Sequence, residues 1–124
     1  MAIKKILIVD DSPTERYILS RILVRKGYQT ILAENGARAI AIAKETCPDL
    51  VLMDIVMPDV NGFQAIRMFL RDQALRVIPI IICSTKGQEI DKIWGMRQGA
   101  KDYVVKPIVA EELLQKIARL DTPD

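Results

Sequence analysis

Five short apolar runs, each followed by a turn and then a longer amphipathic stretch, constrain this chain more than any other feature. They occupy residues 6–9, 30–33, 50–53, 78–83 and 103–105. Most are continuously apolar rather than alternating, the pattern of strands covered on both faces in a parallel sheet. Between them lie five helix candidates. The first has the clearest start: Ser12 as N-cap, Pro13 in the first turn and Glu15 three residues on, with Gly27 as its stop. Its apolar residues recur at Ile18, Leu19, Ile22 and Leu23, on one helical face. The others are expected over residues 36–46 (stopped by Cys47-Pro48), 62–71, 88–98 (ended by Gly99) and 110–120, with 121–124 a frayed tail.

Five strand–helix units in 124 residues imply a single domain, 1–124, of the doubly wound α/β class, with right-handed crossovers placing helices on both faces of one sheet. Apolar residues make up 50% and charged residues 27%, a globular composition and not a disordered one. The absence of histidine excludes imidazole metal sites, imidazole acid–base catalysis and Ser-His-Asp triads. Lys and Arg total 18 against 16 Asp and Glu, a net +2, which lacks the concentrated basic face of a nucleic-acid binder. Cys47 and Cys83 have no CxxC spacing and, flanked by apolar residues, read as buried, inert thiols of a reducing cytosol. The apolar run after Lys4-Lys5 is too short for a signal peptide, and no run approaches the about 18 residues of a membrane span. The expected location is the cytoplasm.

In doubly wound sheets, ligands bind beyond the carboxyl ends of the strands. The residues there are Asp10 and Asp11 after the first run, Asp54 after the third, Ser84 and Thr85 after the fourth, and Lys106 after the fifth; the second ends in a plain helix-entry turn, Glu34-Asn35-Gly36. Each has an ordinary reading alone: an aspartate or serine as a cap, a lysine as a solvated charge. Together, three carboxylates and an ammonium on one rim define a crevice. Three carboxylates repel one another and raise each other's pKa, so they stay ionised only with cations. Lys106 supplies one charge; a hard divalent cation with oxygen ligands, Mg²⁺, suits the remainder and leaves room for a phosphoryl oxygen. Asp54, alone at the end of the most buried run, is the candidate nucleophile for an aspartyl phosphate. Asp10 and Asp11 are then the metal-holding pair, and Ser84 and Lys106 the contacts to phosphoryl oxygens.

ILIVDDS at 6–12, AENG at 33–36, PDLVLMDIVMPDVNGF at 48–63 and GAKDYVVKP at 99–107 resemble the receiver domain of two-component signalling, the CheY-like response regulators. The family's hydroxyl position lies 30 residues beyond its phosphorylated aspartate, where Ser84 stands, and its lysine 52 beyond, where Lys106 stands. The resemblance implies a (βα)5 fold with strand order 2-1-3-4-5. It implies Asp54 as phospho-acceptor and Asp10, Asp11, Asp54 and the Val56 carbonyl as Mg²⁺ ligands. Ser84 becomes the switch hydroxyl, Thr85 its neighbour at the phosphate, Lys106 the phosphate-contacting lysine and Tyr103 an aromatic switch that turns inward after phosphorylation. Lys106–Pro107 is a candidate cis peptide. The implied partners are a sensor histidine kinase of the chemotaxis type and a separate protein on the face of helix four, strand five and helix five, with no attached output domain. DDSPTE, MDIVMPDVNGFQA and the stretch from Thr85 to Tyr103 are similar, within the family, to regulators of type IV pilus twitching motility; related regulators of taxis share this wording. A phosphate sink for another regulator is the alternative role.

Serine at 84 keeps the hydroxyl of the more usual threonine. Thr85 stands where a small residue is usual. Val56 offers no polar side chain where the family's hydrolytic water passes, so slow self-dephosphorylation is expected. Ile90, Ile93 and Trp94, at helical spacing, read as a core stripe rather than a docking surface. Lys86, Lys92 and Lys101 read as solvated charges near the implied output region. Met57-Pro58-Asp59 with Asn61-Gly62 reads as a tight loop that lets backbone approach the metal.

Three rivals are weighed. A Mg²⁺-dependent phosphohydrolase with an aspartate nucleophile needs a second acid two residues on, where Ser12 stands, and more chain for a cap. A flavodoxin-like FMN binder needs a hydroxyl- and Gly-rich loop, where Asp10-Asp11-Ser12-Pro13 would repel phosphate. A receiver-shaped scaffold that docks partners without phosphorylation fits the fold but leaves the acid–lysine set without a task.

Overall fold

The computed structural model describes residues 2–57 and 61–121. Strands and helices alternate: β1 (Lys5–Val9), α1 (Pro13–Arg25), β2 (Gln29–Ala33), α2 (Gly36–Thr46), β3 (Leu50–Met53), α3 (Gly62–Arg71), β4 (Ile80–Ser84), α4 (Glu89–Arg97), β5 (Asp102–Val105) and α5 (Ala110–Leu120). All neighbouring strands are parallel, in the order β2-β1-β3-β4-β5. This is the expected doubly wound fold.

The continuous apolar runs are explained by burial on both faces. Alternate residues of a strand point to opposite sides, and here each side meets helices. Leu7, Val9, Val51, Met53 and Ile82 join α2 and α3 through Ala39, Ala43, Ala65, Ile66 and Phe69. Ile6, Ile8, Leu50, Leu52, Ile81 and Val104 join α1 and α5 through Leu19, Leu23, Leu113 and Ile117. The edge strand β2 is only half covered and buries Ala33 alone.

Helix starts follow local chemistry. Ser12 Oγ accepts from the Glu15 amide at 3.2 Å and Pro13 opens α1. Asn61 and Gln64 exchange side-chain and backbone bonds in a capping box at α3. Gly27 ends the first unit at φ +94°, a conformation that costs glycine little.

Several expectations are corrected. The fourth strand begins at Ile80, not at 78, and Ser84 is its last residue, paired with Val105, rather than a residue beyond it. On α1, Leu19 and Leu23 are buried but Ile18 is exposed. Cys47 is not buried: it caps α2 in a left-handed conformation, φ 49°, and is exposed, while Cys83 is buried as expected. Ile90, Ile93 and Trp94 are not core either; all three are exposed, Trp94 by 51%, because α4 turns its one buried residue, Gly95, to the sheet. Residues 58–60 and 122–124 lie outside the described residues, so the Pro58-Asp59 part of the expected tight loop and most of the expected frayed tail do too. Among the described residues no helix is long and apolar enough to cross a membrane.

Candidate functional site

A parallel sheet brings the carboxyl ends of its strands to one edge, and the order β1-β3-β4-β5 makes four of them neighbours. Asp10 follows β1, Asp54 follows β3, Ser84 ends β4 and Lys106 follows β5. Asp10, Asp54 and Ser84 are the only buried polar or charged residues among those described, whereas Asp11 is exposed.

One carboxylate oxygen from each of Asp10, Asp11 and Asp54 lies within 4.8 Å of the others. The Lys106 ammonium donates to Asp10 Oδ2 at 2.7 Å and reaches Asp54 Oδ2 at 3.4 Å. The other oxygens are oriented by backbone: Asp10 Oδ1 accepts from the Ser12 amide at 2.9 Å, and Asp54 Oδ1 from the Val56 amide at 3.1 Å. Lys106–Pro107 is cis, as expected.

The electrostatics carry the mark of crowding. Burial pushes the Asp54 carboxyl above its ordinary range, and Asp10 adds to the push; the Val56 amide and Lys106 pull the other way without reversing it. Burial works against the Lys106 ammonium, but the bond to Asp10 and the charges of Asp54, Asp10 and Glu15 outweigh it and hold the group above the usual lysine range. Lys106 therefore stays charged. One ammonium faces three carboxylates, and the surplus negative charge, presented only through oxygen, fits a hard divalent cation. The donor set fits Mg²⁺, which Asp10, Asp11 and Asp54 would hold.

The structure thus brings Asp10, Asp11, Asp54 and Lys106 together. Val56 sits beside them with its amide on Asp54 and its side chain 50% exposed. Ser84 is at the same edge, but its Oγ accepts from the Lys86 amide at 3.1 Å. Thr85 is exposed. The Tyr103 ring lies inside, 4% exposed, and its hydroxyl donates to the Lys86 carbonyl at 2.6 Å. Burial is the main reason its phenol is pushed up. The buried thiol of Cys83, one residue before Ser84, is pushed up to about 12, chiefly by burial, and is inert.

Two contributors, Arg16 and the Lys86 backbone, escaped the sequence reading, and a third, Gly62, was read there only as part of a tight loop. Arg16 Nη1 donates to the Asp10 carbonyl at 2.6 Å, bracing the acid from one helical turn beyond the Ser12 cap; that spacing was the available signal. Gly62 allows α3 to start against the acceptor strand, because a Cβ there would overlap the Asp54 carbonyl and the Ile55 Cα. The Lys86 backbone links Ser84 to Tyr103, and no side-chain pattern announces a backbone bond.

Comparison with known proteins identifies the family. A family model described as the response regulator receiver domain matches residues 6–118. Protein PilH of Pseudomonas aeruginosa is 55% identical over 113 residues, spanning 91% of this chain and 93% of that protein. Chemotaxis protein CheY of Bacillus subtilis is 42% identical over 114 residues, spanning 91% and 93%. The crystal structure of chemotaxis protein CheY4 of Vibrio cholerae superposes with a TM-score of 0.88 at 31% identity, over 95% of this chain and 98% of that one.

Proposed function

The chain belongs to the response regulator receiver family, and from that premise we propose that it takes a phosphoryl group onto Asp54 from a sensor histidine kinase, with Mg²⁺, and so switches a partner-binding face. The observation that carries this reading is the Lys106 ammonium lying within reach of both Asp10 and Asp54 at the sheet edge. That position is also where phosphoryl oxygens on Asp54 would meet a fixed positive charge.

In the proposed step, an Asp54 carboxylate oxygen attacks phosphorus in line. A P–O bond forms to Asp54 as the P–N bond to the kinase imidazole breaks, and the imidazole leaves with the bonding pair. Mg²⁺, when bound by Asp10, Asp11, Asp54 and the Val56 carbonyl, neutralises the crowded carboxylates and the charge on the phosphoryl oxygens. The amides of Ser12 and Val56 orient the acids. Lys106, exchanging its carboxylate partners for phosphoryl oxygens, pairs with the new charge. The Ser84 hydroxyl, at the next strand end, donates to a phosphoryl oxygen, and Thr85 flanks the entrance.

The phosphoryl group then biases an equilibrium between two states separated by a few kcal/mol. The readout face is α4, β5 and α5, where Ile90, Ile93, Trp94 and Val109 are exposed. The protein is a phospho-accepting switch rather than a turnover enzyme, and residues 1–124 act as one receiver domain in the cytoplasm, without nucleic acid. Its likeness to PilH and to chemotaxis proteins supports a role in type IV pilus twitching motility or taxis, under a chemotaxis-type kinase.

The test is incubation with acetyl phosphate and Mg²⁺, followed by intact mass. One phosphoryl adduct is expected on the parent, and none on Asp54→Ala or with Mg²⁺ chelated. An adduct that persists in Asp54→Ala, or a parent that takes none, refutes the reading.

A further inference from the structure

The two edges of the sheet are finished differently. β5 forms one edge, and the Lys106 amide donates to the Ser84 carbonyl at 2.8 Å, so the amide and carbonyl of Tyr103 face away from β4. Side chains take both: the amide donates to Asp102 Oδ1 at 2.9 Å, and the carbonyl accepts from Lys116 Nζ at 2.8 Å. β2 forms the other edge. The Gln29 amide donates to the Lys4 carbonyl at 2.8 Å and the Asp10 amide to the Ala33 carbonyl at 3.1 Å. Gln29, Ile31 and Ala33 therefore bond inward to β1, and the amides and carbonyls of Thr30 and Leu32 point outward. Among the described residues these outward groups have no hydrogen-bond partner. From Gln29 to Ala33 the strand carries neither a charge nor a proline, the residues that ordinarily blunt an edge. Leu32 is exposed. Beside it runs an exposed stripe of α1, with Tyr17 and Val24 on either side of Ser20, whose Oγ lies 2.9 Å from Thr30 Oγ1.

We propose that β2 pairs with β2 of a second copy of this chain, antiparallel, on a two-fold axis through Ile31. The strand is complementary to itself in that register. Its outward groups sit at Thr30 and Leu32, equidistant from Ile31, so Thr30 of each copy stands opposite Leu32 of the other. Each such pair exchanges two backbone bonds. Between them the two Ile31 side chains meet on the face of the sheet that carries α2, where Ile31 is half-buried. Charge agrees with this direction. Glu34, one residue past β2, is exposed at one end of the strand, and Arg25 and Lys26 are exposed at the other. Antiparallel pairing brings the acid of each copy to the bases of the other. The product is one continuous sheet whose two outer strands are both β5, so both α4–β5–α5 faces stay open. The pairing does not rest on phosphoryl transfer.

The test uses the full chain. In sedimentation equilibrium at rising protein concentration, the mean mass should climb from one chain toward two; a chain that stays monomeric up to its solubility limit overturns the proposal. Disulfides read the register, in a Cys47→Ala background that leaves only the buried Cys83. Residues directly opposite in a non-hydrogen-bonded pair have Cα atoms about 4.5 Å apart, within disulfide reach. Ile31→Cys should therefore give a covalent dimer on mild oxidation. In the same register the two copies of residue 29 lie about 14 Å apart, so Gln29→Cys should not, although Gln29 is the more exposed. No covalent dimer from folded Ile31→Cys, or an equal yield from Gln29→Cys, overturns the proposal. Should Ile31→Cys not fold, exposed residues decide. Lys26→Glu and Glu34→Lys should each weaken self-association several-fold, and the double variant, which exchanges the charges and keeps the net charge, should restore it. Single variants that associate like the parent, or a double variant no better than the singles, overturn the pairing.

Discussion

Lys106 and Asp10 form a 2.7 Å ion pair between side chains only 8% and 2% exposed, joining residues 96 apart in sequence across the edge of the sheet. Such a pair is easy to break destructively, because removing one partner strands a buried charge. Asp54, at 3.4 Å from the same ammonium, would be stranded with it. Lys106→Met should therefore destabilise the metal-free protein by roughly 3–5 kcal/mol, read by urea unfolding at neutral pH. Mg²⁺ should recover more stability in this variant than in the parent. A loss comparable with that of a surface lysine would show that the pair is not structurally important.

Asp54 is held above its ordinary carboxylate range by burial, with Asp10 adding to the push. The sign follows from linkage. A group whose folded pKa is raised contributes stability below its unfolded pKa, and that contribution is lost as pH rises through the folded value. Asp54→Asn keeps an oxygen for the Val56 amide and removes the charge. The variant should match the parent in acid and exceed it once pH passes above the ordinary carboxylate range, in urea melts without metal. Mg²⁺ should invert the order, since a ligand at 100 times its Kd stabilises the parent by about 2.7 kcal/mol and the variant by less. An Asp54→Asn protein no more stable than the parent at neutral pH, without metal, would contradict the crowding.

The sheet and its acidic rim were legible because strand ends in a parallel sheet are a fixed address: once residues 6–9, 50–53 and 103–105 read as strands, Asp10, Asp54 and Lys106 had to meet. The direction of α4 was not legible. Ile90, Ile93 and Trp94 have the spacing of a buried stripe, but burial is decided by the opposite side, where Gly95 lets the helix backbone approach Tyr103 and Ile82. Cys47 misled for a similar reason: Pro48 beside it is buried, while Cys47 caps α2 with a left-handed backbone and is exposed. Backbone bonds such as Tyr103 Oη to the Lys86 carbonyl have no counterpart in residue type.

Val56 places an apolar, half-exposed side chain next to the carboxylate that its own amide orients. An apolar group there cannot hold a water in line with an Asp54-bound phosphorus. Val56→Asn offers an amide that can donate and accept, and loss of phosphate from the isolated phosphorylated protein should become several-fold faster. An unchanged or slower loss would place the control of lifetime elsewhere.

The two thiols should separate cleanly. Cys47 is exposed, whereas Cys83 is buried with its pKa pushed up to about 12. Thiolate is the nucleophile toward alkylating agents. Native protein treated with iodoacetamide at mildly alkaline pH should gain one adduct, located to Cys47 by peptide mass, and a second only in denaturant. Alkylation of Cys83 in the native state would mean that β4 opens readily beside Ser84.

Trp94 offers the sharpest contrast between sequence pattern and packing. It lies next to the buried Gly95 but is itself 51% exposed, and Ile90 and Ile93 share its exposure. A large side chain in a close-packed core costs about 3–5 kcal/mol when cut to alanine, because transfer and cavity terms add; one on a solvent face leaves no cavity. Trp94→Ala should therefore cost under about 1 kcal/mol, while Phe69→Ala, on α3 and fully buried in the core, should fall in the core range. The tryptophan fluorescence of the native chain should be quenched by acrylamide nearly as well as that of the unfolded chain. If Trp94→Ala instead costs as much as Phe69→Ala, the indole is core and α4 lies with its apolar stripe against the sheet.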